Sequence, residues 1–149
     1  MDADSFRQCI ALISSPSLLP EQRRALEASL LQLRRSPAAV DVCSQVLLGS
    51  DACVSYHAAN TLKYAVLFSW PYLSDALREK ALHAWLSALS PPKHLSASGW
   101  RPVKNEALEA IALYFKKIYI ASNELPSGPH FSLDVAAAFL SALQDGRNL

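Results

Sequence analysis

The residues of this chain that could do chemistry are scattered along it. Serine, histidine and aspartate are all present, yet no nucleophile elbow, phosphate-cradling loop or HExxH pair sets them at the spacing that hydrolysis needs. His57, His83, His94 and His130 fall in different segments, whereas a metal site needs ligands gathered at helical or loop spacing. The expectation is no catalytic residue, no metal and no cofactor; a small helical enzyme is a reading with no constellation behind it. Cys9, Cys43 and Cys53 form an odd set without CxxC spacing inside apolar patterns, which predicts buried free thiols in a reducing compartment. Three basic pairs, Arg23-Arg24, Arg34-Arg35 and Lys116-Lys117, are either solvated helix faces or contacts for an acidic protein partner. Trp70 and Trp85 could anchor an interface, although their spacing fits a core better.

The elements that must position these residues are helical. Half of the chain is hydrophobic (51%) and only 4 of 149 residues are glycine, which leaves few places for hairpin turns and predicts an all-α domain. A net charge of +1 and a pI near 7.8 give no single-sign field of the kind that binds phosphate backbones, so nucleic acid is not expected as a partner. The apolar runs are far shorter than the ~20 residues a bilayer span requires, and MDADSF lacks the positive region of a signal peptide. We expect a soluble, intracellular protein without membrane insertion.

Helix punctuation falls at regular places. A short apolar segment covers Phe6 to Ile13. Pro20 and Glu21 open a helix to about Arg35 with Leu26, Leu30 and Leu33 on one stripe, beside Ser29. Ser36 caps, with Pro37 at the first helical position, a short helix to Leu48 that Gly49 closes. Ser50-Asp51 starts the next, in which Val54, Ala58, Leu62 and Ala65 recur up to Trp70. Within FSWPYLSD, Pro71 stops that ladder and Ser74-Asp75 restarts one, predicting an antiparallel corner. The helix that follows, to about Leu89, carries Leu77, Ala81, Ala84, Trp85 and Ala88 on one face, with Leu82, Leu86 and Leu89 beside it. Its polar arc is Asp75, Glu79 and His83, and a helix so widely apolar must be covered on two sides. After a loop, SPPKHLSASGWRP, Pro102 opens a helix with Val103, Ala107, Ile111, Tyr114, Phe115 and Ile118 inward; after ASNELPSGPHF, Ser132 caps a last one from Leu133 to about Asp145, ended by Gly146.

Three segments together resemble the N-terminal region of the importin-β (karyopherin) superfamily, most of all exportin-4-type nuclear export receptors. QRRALEASLLQLRRSPAAVDVCSQVL, Gln22 to Leu47, is similar to a first helical pair, with Glu27, Leu30-Leu31, Arg34-Arg35 and Cys43 in step. AANTLKYAVLFSW, Ala58 to Trp70, resembles the second outer helix, and VKNEALEAIALYFKK, Val103 to Lys117, the outer helix of the third pair. Tyr64 stands where importins usually place asparagine after Leu-Lys, and the loop Pro91 to Pro102 is longer than the usual connection. Receptors of this family are long solenoids of many repeats, whereas about three are present here, so both a fragment of a longer receptor and a short relative are open.

The resemblance implies an α-solenoid of about three HEAT-like, armadillo-type hairpins, 20–48, 50–90 and 101–146, after an N-terminal helix and linker, 1–19. It implies that the N-terminal repeats bind the GTP form of the small GTPase Ran, with protein cargo and nucleoporins along the arch, in a protein moving between cytoplasm and nucleus through the nuclear pore. The implied inner helices are Pro37–Leu48, presenting Asp41, Ser44 and Gln45, and Ser74–Leu89, presenting Asp75, Glu79 and His83. A mildly acidic strip of this kind suits a GTPase surface rich in lysine and arginine. The alternative is a generic HEAT-repeat scaffold or adaptor without GTPase binding.

Overall fold

A computed structural model describes residues 1–124. The last predicted helix, Leu133 to Asp145 with Ser132 and Gly146, lies outside the described residues, as does His130. The described residues form six α-helices and no strand: α1 (Ala3–Ile13), α2 (Pro20–Leu33), α3 (Ala39–Val46), α4 (Ala52–Ser69), α5 (Asp75–Ser87) and α6 (Ala97–Glu124), with a short 3₁₀ turn at Trp70–Tyr72.

Local chemistry sets most boundaries. Asp2 accepts from the Ser5 amide at 2.8 Å and starts α1 ahead of Phe6. In α2, proline occupies the first position, where its missing N–H removes nothing, and Gln22 Oε1 accepts from the Leu19 amide at 3.4 Å. Asp51 accepts from both Cys53 and Val54 to start α4, and Ser74 accepts from Leu77 to start α5. Between them the FSWPYLSD corner is fixed by Arg78, whose guanidinium lies 4.5 Å over the Trp70 ring and donates to the Trp70 carbonyl at 2.8 Å.

Two boundaries differ from the sequence reading. Ser36 does not cap α3 directly: Ala39 and Val40 bond back three residues to Ser36 and Pro37, so a tighter turn precedes the helix. Helix α6 starts at Ala97 and carries Pro102 inside it rather than at its start. Ser96 accepts from the Gly99 amide at 3.2 Å, and the buried Trp100 donates from Nε1 to the Ala88 carbonyl at 2.7 Å. These bonds hold the turn ahead of the proline, whose lost amide bond would otherwise favour a break there. Gly49 does close the α3 segment, by donating to Val46 at 3.0 Å without a positive φ.

The core runs through all six helices. Trp70 and Trp85 are core residues, as are Ala58, Leu62, Ala65, Ala81, Ala88, Val103, Ala107 and Ile111. Cys9 and Cys43 are buried and unpaired, but Cys53 is exposed, contrary to the expectation for all three thiols. It sits on the narrow outward stripe of α4, which the apolar pattern alone did not separate from the inward one.

Packing is mostly between elements close in the chain, with α1 also reaching α4. Helix α4 packs most on α6 and α3, α5 on α6 and α3, and α1 on α2, α3 and α4; α1 and α2 share no substantial packing with α5 or α6. Lys63 meets Glu106 and, further along, Trp70 meets Tyr114. The order is the same in both helices, so α4 and α6 run parallel. Replacing Trp85 by alanine should cost about 3–5 kcal/mol in chemical denaturation, and Asp51→Ala about 1 kcal/mol through the lost cap.

Candidate functional site

Helix α3 buries Ala39, Val40, Val42, Cys43 and Val46. That leaves Asp41 and Gln45 exposed, with Ser44 half-buried at the edge of the same arc and its Oγ buried without a protein partner. On α5, Asp75, Glu79 and His83 are all exposed. A salt bridge from Lys80 to Asp41 joins the two helices at the surface, so both predicted arcs lie on neighbouring elements. The strip is less acidic than the sequence reading has it, because Asp41 pairs with Lys80 and Asp75 with Arg78 at 3.2 Å. Exposed pairs of this kind contribute little stability, typically below ~1 kcal/mol, but they do cancel the field.

The most organised polar group lies elsewhere, where α2, α4 and α6 meet. Lys63 is buried on α4 and pairs with Glu106 Oε1 at 2.6 Å and Glu109 Oε2 at 3.2 Å, both on α6. Asn60, one turn earlier on α4, donates to the same Glu106 oxygen at 2.8 Å and accepts from Arg34, just after α2, at 2.9 Å. Arg34 and Lys63 both stand near the Tyr64 ring, at 5.5 and 5.2 Å from its centroid. Burial works against the charge on Lys63, but the bonds from Glu106 and Glu109 outweigh it and raise its pKa. Sequence reasoning missed this group, since Lys63 and Glu106 are 43 positions apart and each reads alone as a solvated helix residue.

Outward from the network, α4 presents one stripe: Cys53, Tyr56, Tyr64 and Phe68 are exposed, with His57, Asn60 and Leu67 half-buried between them. Tyr64 and Phe68 stack with centroids 6.1 Å apart, and Tyr72 follows at 81% exposure. Arg23, from the first basic pair, is used structurally: it donates to the Ile13 and Ser15 carbonyls at the end of α1. Arg34 is taken up by the network, so one arginine of each of the first two basic pairs is engaged within the protein. Among the described residues no group of three or more His, Cys, Asp or Glu could hold a metal ion, and no helix is long and apolar enough to cross a membrane. Comparison with models of known families, with curated proteins and with solved structures gives no match to this chain.

Buried titratable groups fix the pH response. Burial pushes Tyr114 up to about 12, aided by Glu79 and Asp75 and opposed by Arg78. Burial likewise pushes Cys43 up to about 12, with Arg34 opposing. Above pH ~9–10 the unfolded chain releases protons that the folded one keeps, so stability falls as pH rises through that window. His57 is shifted the other way, by burial and then by Arg34; the unfolded chain takes up a proton more readily, so stability also falls as pH drops below ~6.5. Thermal melts across pH should show both losses, with the alkaline one reduced in Tyr114→Phe.

Proposed function

We propose that this chain is a non-catalytic protein-binding module built as a HEAT-like stack, and that its partner is the GTP form of Ran, as in exportin-type nuclear transport receptors. The packing order is the observation that supports the stack most directly. Helices α1, α3 and α5 pack in succession, as do α2, α4 and α6, which is consistent with two rows, and α4 runs parallel to α6; α1 also reaches α4. A closed bundle would bring its first helices back to its last. Such rows give a solenoid extended surfaces for other proteins.

Of the two rows, α2–α4–α6 carries the more suitable contact surface. Tyr56, Tyr64 and Phe68 are large rings exposed on one stripe of α4, and aromatic anchors dominate the energetics of protein interfaces. The strip of Asp41, Ser44, Gln45, Asp75, Glu79 and His83 remains a secondary surface, since its aspartates are already paired. Selectivity for the GTP state would come from the partner, whose switch loops are ordered by the γ-phosphate. Differential affinity for the two states then couples binding to the compartment, and with it to protein cargo, nucleoporins and movement between cytoplasm and nucleus.

The test is titration with Ran loaded with a non-hydrolysable GTP analogue or with GDP. Selective binding of the first supports the proposal; binding of neither leaves a HEAT-type scaffold or adaptor. Tyr64→Ala and Phe68→Ala should each weaken binding by about 2 kcal/mol, while Asp75→Asn should leave it unchanged. A loss confined to Glu79→Gln and His83→Ala would place the contact on the α3–α5 side instead.

A further inference from the structure

We propose that the polar chain Arg34–Asn60–Glu106–Lys63–Glu109, buried at Lys63 and Glu106, is a positioning device that fixes the angle at which α4 meets α2 and α6, and so holds the Tyr64 ring as a rigid anchor for a partner. The connections run without a break from the end of α2 through α4 to α6, with separations of 2.9, 2.8, 2.6 and 3.2 Å. Apolar packing alone is tolerant of small rotations and slides, because it has no direction. A hydrogen-bonded ion pair in a dry site is not, since a shift of either helix leaves a charge without its partner.

Chemistry at the centre of the network shows why it is more than filling. Lys63 and Glu106 are 5% and 8% exposed, and a buried pair is seldom more stabilising than apolar residues of similar volume. What the pair supplies is register: Glu106 Oε1 takes bonds from both Lys63 and Asn60, so a single oxygen sets the height of two successive turns of α4. Asn60 in turn holds Arg34, and the two cations, Arg34 and Lys63, lie 5.5 and 5.2 Å from the centroid of the adjacent Tyr64 ring. A ring held against two fixed cations loses little freedom when a partner covers it, and pre-organisation of that kind raises affinity by lowering the entropy lost on binding.

The role separates from plain stabilisation by comparing single and double variants. Lys63→Met alone should lower the melting temperature sharply by stranding Glu106, whereas Lys63→Met with Glu106→Leu should recover it. Spin labels at the exposed Cys53 and at Lys116→Cys read the α4–α6 geometry without any partner, because Cys9 and Cys43 are buried. We expect one narrow distance distribution in the native background and a broadened one in the double variant at recovered melting temperature; an unchanged width overturns the proposal. Should the double variant fail to fold, Asn60→Ala removes both the Arg34 arm and the Asn60–Glu106 bond between α4 and α6 at a half-buried position, and spares the ion pair. Broadening at an unchanged melting temperature again supports the device, and an unchanged width overturns it.

The anchor role rests on the proposed Ran contact. The double variant should bind the GTP form at least ~10-fold more weakly, about 1.4 kcal/mol, with Tyr64 intact. Full affinity at recovered stability would reduce the network to a structural element. If the native chain binds neither nucleotide form, the functional proposal fails by itself, while the label widths still decide the positioning role.

Discussion

The burial of α4 from two sides is the constraint on which the rest of the structure depends. Ala58, Ala59, Leu62 and Ala65 are fully buried, and Ser55, Thr61 and Ser69 are buried with them. Small residues along both flanks let α3 and α6 approach closely, and a helix apolar over so much of its circumference has no stable form unless two neighbours cover it. Helix α3 therefore packs on one flank and α6 on the other. The parallel course of α4 and α6 then obliges α5 to return antiparallel between their ends, and the Trp70–Tyr72 turn, locked by Arg78 on Trp70, makes that return possible. Chain punctuation, packing order and the exposed stripe of α4 are consequences of one sandwiched helix.

Placing a lysine inside that sandwich is costly unless its charge is met. The ammonium group of Lys63 has three donors, and two of them are met by Glu106 and Glu109. Glu109 is itself 61% exposed in its side chain, so the network is dry at Glu106 and open to water at one end. That asymmetry matters, because a charge with a path to solvent is desolvated less than one enclosed on all sides. The arrangement thus keeps directional bonds where the helices touch and lets the excess negative charge of the second glutamate sit at the surface.

Much of the helical scaffold was legible in the sequence, for a local reason. Asp51 and Ser74 accept from amides within one turn, and Pro20 lacks an N–H where none is needed, so their chemistry is written in adjacent positions. The exposed arc of α3, Asp41 and Gln45 with Ser44 at its edge, could also be read by subtracting the apolar positions of an eight-residue helix. What could not be read depends on contacts distant along the chain. The start of α6 ahead of Pro102 is held by Trp100 reaching Ala88 across the loop, and proline chemistry alone predicts the opposite. The burial of Lys63 requires α6 to bring two carboxylates to α4, and the exposure of Cys53 requires knowing which side of α4 faces no neighbour.

The same distinction explains why the candidate site moves from charge to rings. Sequence alone marks Asp41, Asp75 and Glu79 as an acidic strip, because it shows carboxylates on helix faces but not what lies opposite them. In the fold, Lys80 and Arg78 stand against the two aspartates, and a balanced pair neither steers a basic partner from a distance nor loses much by staying in water. Aromatic side chains behave differently: no neighbouring charge cancels the apolar area of Tyr56, Tyr64 and Phe68, so their exposure persists as a driving force for association. Tyr64 has the added property of two cations within 5.5 Å of its centroid, where the negative face of the ring attracts them. A surface of this kind recognises by shape and fixed position rather than by net charge, which accords with a chain whose overall charge is only +1.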